Sequence, residues 1–216
     1  YYTMKWKDMQ IEVTDPSNQL GLLSGGEYQN IPFQIVVGNV GDAEVDGYDL
    51  ELKALLSENF EIGFNMTDIR DAYVNAAQEY PEPRAVGGVV PSGLAPQSAL
   101  PLFADNSYYL YAEYSGLNAF GGLAGIRIQH SHVGESLNQL TDGFTSPRLA
   151  QGDYDITDAI VTWEKDNWSA QLRINNLSDE RGITYEDTTD FDTVWGRNSS
   201  IVIRPRNFAI SVRHAF

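Results

Sequence analysis

The chain has 216 residues, a formal net charge of −16 and no cysteine. The acidic balance argues against nucleic-acid binding, which relies on cationic contacts to phosphate, and the absence of thiols closes disulfide and thiolate-metal chemistry. No apolar run approaches the roughly 20 residues of a membrane helix, so a membrane-spanning reading has to rest on strands, whose alternation looks only mildly apolar.

In chain order, eight segments have the period of a strand. The first, Tyr1 to Val13, shifts its apolar parity from Tyr2, Met4 and Trp6 to Met9, Ile11 and Val13, which predicts a bulge. In the second, Tyr48, Leu50, Leu52, Ala54 and Leu56 oppose Asp49, Glu51 and Lys53. In the third, Phe60, Ile62, Phe64 and Met66 oppose Glu61, Gly63, Asn65 and Thr67. Tyr108, Leu110, Ala112 and Tyr114 form one face of the fourth; Ala124, Ile126 and Ile128 oppose Gly125, Arg127 and Gln129 in the fifth. Ala159, Val161 and Trp163 carry the sixth, and Trp168, Ala170, Leu172 and Ile174 the seventh. The last runs to the C-terminus with Phe208, Ile210, Val212 and Phe216 on one parity.

The connections alternate. Ser57–Asn59 and Glu164–Asn167 read as tight turns and Ser115–Gly121 as a slightly longer one, while the links near 14–43, 69–105, 129–152 and 178–203 are long. Structureless loops of that length are uncommon in compact soluble domains. Short turns on one side and long loops on the other are the pattern of a transmembrane barrel. With the C-terminus periplasmic, every long link falls outside and every short turn inside. Phe60, Tyr114, Trp163, Trp168 and Phe216 then gather at the periplasmic side, as an interfacial aromatic girdle requires. The start at Tyr1, with no basic-then-apolar leader, reads as mid-strand and predicts a piece of a larger protein.

Several stretches resemble the TonB-dependent outer-membrane receptors. Tyr154–Trp163 followed by Trp168–Glu180, ending Asn176-Leu-Ser-Asp-Glu180, looks like their penultimate hairpin. Pro205-Arg-Asn-Phe208 through Phe216 resembles their closing strand, although Ser211 stands where Gly is common and His214 where a larger aromatic is common. Asn39-Val-Gly-Asp-Ala43 with Gly47-Tyr-Asp-Leu-Glu51, and Tyr2–Ile11, resemble earlier strands of the same barrels.

The resemblance implies an all-β, antiparallel up-and-down barrel portion. Residues 1–216 would form the last eight strands of a barrel of about 22, with the N-terminal plug and the remaining strands absent. It implies the outer membrane of a Gram-negative bacterium, with outer-membrane lipid around the barrel. Import would be coupled to the TonB complex through the absent N-terminal segment. The ligand would be a small molecule such as a ferric siderophore, and Phe208 and Phe216 would form a C-terminal signal for the barrel-assembly machinery. Two alternatives stay open: a self-contained eight-stranded barrel acting as a passive pore or a structural or adhesive protein, and, less favoured by the loop pattern, a soluble β-sandwich carbohydrate-binding module.

No catalytic constellation or cofactor site is expected. Burying charge in lipid is costly, so Glu51, Lys53, Glu61, Arg127, Arg173 and Arg213 are expected to face the lumen, where plug contacts or a substrate path would use them. His130 and His132, two apart near the outer end of a strand, are candidates for contact with a metal or siderophore, or are exposed rim residues. Tyr185 and Trp195 in the last long loop are candidate stacking residues, with Arg197 available to loop acids. Asp187, Asp190 and Asp192 lack the spacing and turn glycine of a calcium loop.

Overall fold

The structure, a computed structural model, describes residues 1–14, 35–74, 98–140, 148–187 and 199–216. The long strands are β1 (Tyr2–Thr14), β2 (Ile35–Ser57) and β3 (Phe60–Val74), then, after the short β4 (Ser98–Ala99), β5 (Asn106–Ala119) and β6 (Gly122–Val133). The short β7 (Ser136–Leu137) and β8 (Ala150–Gln151) precede β9 (Tyr154–Lys165) and β10 (Trp168–Asn175). Last come β11 (Ile183–Asp187), β12 (Ser199–Val202) and β13 (Asn207–His214). One antiparallel sheet runs β1-β2-β3-β5-β6-β9-β10-β13, with β4 added to the outer end of β3. These are the eight expected strands in sequence order. The sheet is open, with β1 and β13 as its edges.

The burial pattern is inverted relative to a soluble sheet. Ile210, Val212 and Phe208 are 76%, 64% and 66% exposed, and Leu50, Leu52 and Ile128 on the same face are exposed too. The opposite face carries the polar and charged residues, which bond to one another. An apolar face left bare to this extent is stable only against hydrocarbon.

Register fixes which residues share a face. One cross-strand row is Phe60–Tyr114–Ile126–Val161–Leu172–Ile210, all on the apolar face. The neighbouring row, Glu61–Glu113–Arg127–Ile160–Arg173–Ala209, lies on the polar face. The anticipated bulge in β1 is present: the register with β2 shifts on both sides of Met9, and Asp8 has φ 52°. The backbone amide of Asp8 donates to Asp42 Oδ1 at 3.0 Å.

Three boundaries differ from the sequence reading. The strand over Phe60–Met66 continues to Val74, and the outer link begins later than residue 69. The strand containing Tyr48 begins at Ile35, well inside the expected 14–43 loop. The link Ser115–Gly121 is mostly strand: Gly116 at φ 83° absorbs a bulge between Tyr114 and Leu117, and Phe120-Gly121, both at positive φ, make the turn. A two-residue turn with both φ positive matches the twist of its flanking strands. The outer hairpin β11–β12 and the β7–β8 pair were not legible as strands, being two to five residues long and without a clear alternation.

The small buried core lies at the outer end. Ala43, Val45, Val74, Leu100 and Leu140 form it, with Tyr2, Met9, Ile69, Ala72 and Phe103 packed against them. Val45 shares its parity on β2 with Glu51, so Leu100 and Leu140 cover the polar side of the wall, not the lipid side. Outer segments therefore fold inward. They are tied in sequence: Leu100 N donates to Ala72 O, Asp105 N to Glu135 O, Asn138 N to Leu149 O and Gly152 N to Ile183 O.

The inversion sets an asymmetry between neighbouring positions on β6. Ile128→Arg, at mid-height on the apolar face, is expected to cost about 2–4 kcal/mol in vesicle-reconstituted protein. Ser131→Arg, on the polar face, should cost less than about 1 kcal/mol. Denaturant titration of both variants in phospholipid vesicles measures the difference.

Candidate functional site

The polar face carries a chain of hydrogen bonds, linked through one cation–π contact, from β2 to the end of β10. It begins at Lys53, whose Nζ lies 3.0 Å from Glu61 Oε1. Glu61 also accepts from the Tyr111 hydroxyl at 2.6 Å. Tyr111 pairs across the sheet with Gly63, where any Cβ would collide with its ring. The glycine thus lets the tyrosine lie flat on the wall. Arg127 lies over that ring, its guanidinium carbon 3.9 Å from the centroid.

From Arg127 the chain continues in two directions. One guanidinium nitrogen reaches Glu113 Oε2 at 3.0 Å and another donates to the Tyr109 hydroxyl at 2.8 Å. Tyr109 donates to Gln129 Oε1 at 3.0 Å, and Gln129 donates to Asp158 Oδ2 at 2.9 Å. Asp158 accepts the backbone amide of Asn176 at 2.9 Å. The ion pairs are partly solvated and contribute little by themselves. Their effect is to hold rings and guanidinium in one arrangement.

Asn176 closes the outer end. It is 3% exposed and sits at φ 53°, a left-handed conformation that asparagine tolerates better than most residues. Its Nδ2 donates to the carbonyls of Glu180 and Arg204, both at 2.9 Å, and its Oδ1 accepts the Glu180 amide at 2.9 Å. Asp179 Oδ1 accepts the Arg206 amide at 2.8 Å. The exit of β10 and the approach to β13 are therefore clamped together. In the sequence Asn176-Leu-Ser-Asp-Glu180 was visible as a motif, but its role as a clamp was not.

Of the residues singled out from sequence, Glu51, Lys53, Glu61, Arg127, Arg173 and Arg213 all lie on the polar face. Only Lys53, Glu61 and Arg127 belong to the chain of bonds. Tyr109, Tyr111, Glu113, Gln129 and Asp158 are its other members. The available signal for them was their parity, opposite to the apolar residues of β5, β6 and β9.

His130 and His132 share one face near the outer end of a strand, as expected. They lie within β6 on the apolar face, in register with Leu110 and Tyr108. Both rings approach Asp155 Oδ1, His132 Nδ1 at 3.0 Å and His130 Nε2 at 3.2 Å, and His132 stacks on Tyr108 at 4.9 Å. With the Arg70–Asp68 pair and the tilted ring pair of Tyr1 and Tyr48, they mark the outer rim of the lipid-facing band. Its inner rim carries Phe60 with Tyr114 and the run Trp168–His214–Phe216 in ring contact. Phe208 faces outward opposite Ile174. Tyr185 lies in β11 of the outer hairpin, opposite Ile201. Trp195, Arg197, Asp190 and Asp192 fall outside the described residues. Among the described residues no group of three or more metal-ligating side chains is placed to hold an ion.

Residues 1–177 match the family model of the TonB dependent receptor-like β-barrel. The chain belongs to that family. No curated protein matches it in sequence. Solved structures similar in fold include the ferric yersiniabactin uptake receptor of Yersinia pestis (TM-score 0.61, 20% identity), which this chain matches over 84% of its own length and 25% of the receptor's. The ferric-catecholate import receptor of E. coli K12 is similar at TM-score 0.62 and 14% identity, over 99% of this chain and 24% of that one. The ferripyoverdine receptor of Pseudomonas aeruginosa gives 0.58 and 15%, over 95% and 23%. The chain thus spans about a quarter of the solved receptors it resembles. Barrels of this family are transporters, not enzymes, and sit in the outer membrane of Gram-negative bacteria, which agrees with the inverted burial of this receptor barrel.

Two substitutions probe this wall. Gly63→Val should lift Tyr111 off the wall and separate it from Glu61, which ultraviolet difference spectra of the tyrosines detect. Asn176→Ala leaves buried backbone groups without partners, at a cost of about 1–3 kcal/mol. It should speed proteolysis within 177–206 about fivefold or more, with the barrel remaining heat-modifiable on gels.

Proposed function

We propose that this chain is the C-terminal barrel portion of a TonB-coupled importer whose cargo is a ferric siderophore. The family match over residues 1–177 carries the reading. The cargo is supported by the solved structures of similar fold, which are receptors for ferric yersiniabactin, ferric catecholates and ferripyoverdine. In this reading a plug domain supplied by the rest of the protein fills the lumen, and the TonB complex acts on that plug. The polar wall from Lys53 to Asp158 faces the plug or the permeation path, and the inward-folded outer segments form the vestibule where ligand first docks. Tyr185 and Trp195 are candidate contacts for that ligand. Phe208 and Phe216 serve barrel assembly.

The self-contained eight-stranded barrel is the weaker reading. Its first and last strands would have to pair, and β1 and β13 are instead the two edges of an open sheet. Unpaired edges in hydrocarbon leave many backbone groups unsatisfied.

Deletion of the complete gene, followed by growth under iron limitation on a panel of ferric siderophores, tests the function. Loss of growth on one class, restored by the intact gene only when the TonB complex is present, is the expected result. Growth unaffected on every siderophore, or uptake that persists without the TonB complex, overturns it.

A further inference from the structure

His130, His132 and Asp155 form a cluster on the outward face that import does not use. Both imidazoles converge on one carboxylate oxygen, His132 Nδ1 at 3.0 Å and His130 Nε2 at 3.2 Å from Asp155 Oδ1. His130 Nδ1 lies 2.9 Å from the Thr157 hydroxyl. An ionised carboxylate only accepts, so each ring turns an N–H toward Asp155. With neutral rings, His130 Nδ1 then accepts from Thr157, and His132 Nε2 keeps a lone pair with no partner among the described residues. On β5, Tyr108 stacks on His132 at 4.9 Å and lies 6.0 Å from His130. On β3, Asp68 and Arg70 pair with each other at 3.5 Å.

Register places the cluster at headgroup level. The row Leu50–Met66–Tyr108–His132–Asp155 is apolar on β2 and β3 and polar on β6 and β9. Leu52–Phe64–Leu110–His130–Thr157 changes in the same sense. The inner rim steps the same way: Phe60 with Tyr114, then Trp163 a row closer to the periplasm, then Trp168 with His214 a further row on. Both rims therefore run obliquely across the sheet, as tilted strands in a flat membrane require. The cluster sits on the outer rim, where the apolar rows of β6 and β9 end and the headgroups of the outer leaflet meet the wall.

Protonation reverses what the cluster offers. Histidine ordinarily changes charge between about pH 5 and 8. With both rings neutral, the trio carries the negative charge of Asp155 and presents acceptors. With both rings charged, two imidazolium groups outweigh one carboxylate. His132 Nε2 becomes an N–H donor. His130 Nδ1–H donates to Thr157, whose own hydroxyl proton is released to point outward. Outward donors with a net positive charge suit a phosphate, and charge-assisted bonds of this kind are strong. We infer that His130, His132 and Asp155 form a proton-controlled seat on the outer wall of the barrel for the phosphate group of an outer-leaflet lipid. It depends on the place of the barrel in the outer membrane and not on the identity of the cargo.

The test titrates fluorescent lipid A, with its phosphates present or removed, into the full-length receptor in detergent micelles at about pH 5.5 and about pH 7.5. At the lower pH, wild type should hold the phosphorylated lipid about tenfold more tightly than His130→Gln with His132→Gln, the worth of one charge-assisted hydrogen bond. At the higher pH the two should bind alike. Comparing proteins at one pH removes the titration of the lipid phosphate itself. His214→Gln, on the same face at the inner rim, should match wild type at both. Heat-modifiability on gels shows that each barrel is folded. A double variant equal to wild type at the lower pH, or an equal loss with the dephosphorylated lipid, overturns the inference. Inorganic phosphate that displaces the lipid at equal concentration marks a free-anion site and overturns the lipid assignment. None of these outcomes touches import, which growth on ferric siderophores measures separately.

Discussion

Hydrocarbon offers no hydrogen-bond partners, so every backbone amide and carbonyl that crosses it must be paired by the protein. This constraint governs the sheet. It requires antiparallel neighbours in register from one aromatic rim to the other, and the ladders from β2 to β13 supply them. It also forces the inversion of burial, because the face that meets lipid has to be the apolar one. Irregular backbone is confined to places outside that band or at its edges. Examples are the bulge at Asp8, midway along β1 and outward of the Tyr48 rim, and the bulge at Gly116 beside a periplasmic turn.

With the outward face committed to lipid, polar side chains are left for the inward face, where a different problem arises. A wall of mixed charge in a confined space has to neutralise itself or be neutralised by its contents. In the β2–β6 half the pairs Lys53–Glu61 and Arg127–Glu113 do part of the first. Gly63 gives up a side chain so that Tyr111 can lie flat, Arg127 covers the ring, and the pairs with Glu61 and Glu113 complete the arrangement. The outer segments add a second layer by folding Leu100 and Leu140 over the same side. Geometry set by lipid on one face thus shapes the chemistry on the other.

The strands were readable in the sequence because lipid imposes strict alternation. Leu50 and Leu52 against Glu51 and Lys53 mark a strand with unlike faces, the alternation of short and long connections points to a barrel, and the parity change between Trp6 and Met9 announced the bulge. What stayed hidden depended on contacts between distant residues. Tyr109 and Tyr111 look like ordinary strand aromatics until Gly63 and Arg127 are brought beside them. His130 and His132 read as a polar pair near a rim, and only the register with Leu110 and Tyr108 places them on the lipid side. The outer hairpin β11–β12 was missed because a ladder of a few residues outside the membrane is under no pressure to alternate. Trp195 lies outside the described residues, so its part in the candidate site rests on sequence alone.

The clamp at Asn176 has a further implication for how such a receptor changes over generations. Asn176 bonds to Glu180 and Arg204, and Asp179 to Arg206, so the strands on either side of the last outer loop are joined below it. Asn175 and Asn207 are joined by a side-chain bond one step further down. Register between β10 and β13 is then determined without any help from the residues in between. The loop is free to lengthen, shorten or exchange its sequence while the wall beneath keeps its shape, because loop-closure entropy rises only slowly with length. A barrel wall built this way is able to carry new outer surfaces without risking its place in the membrane.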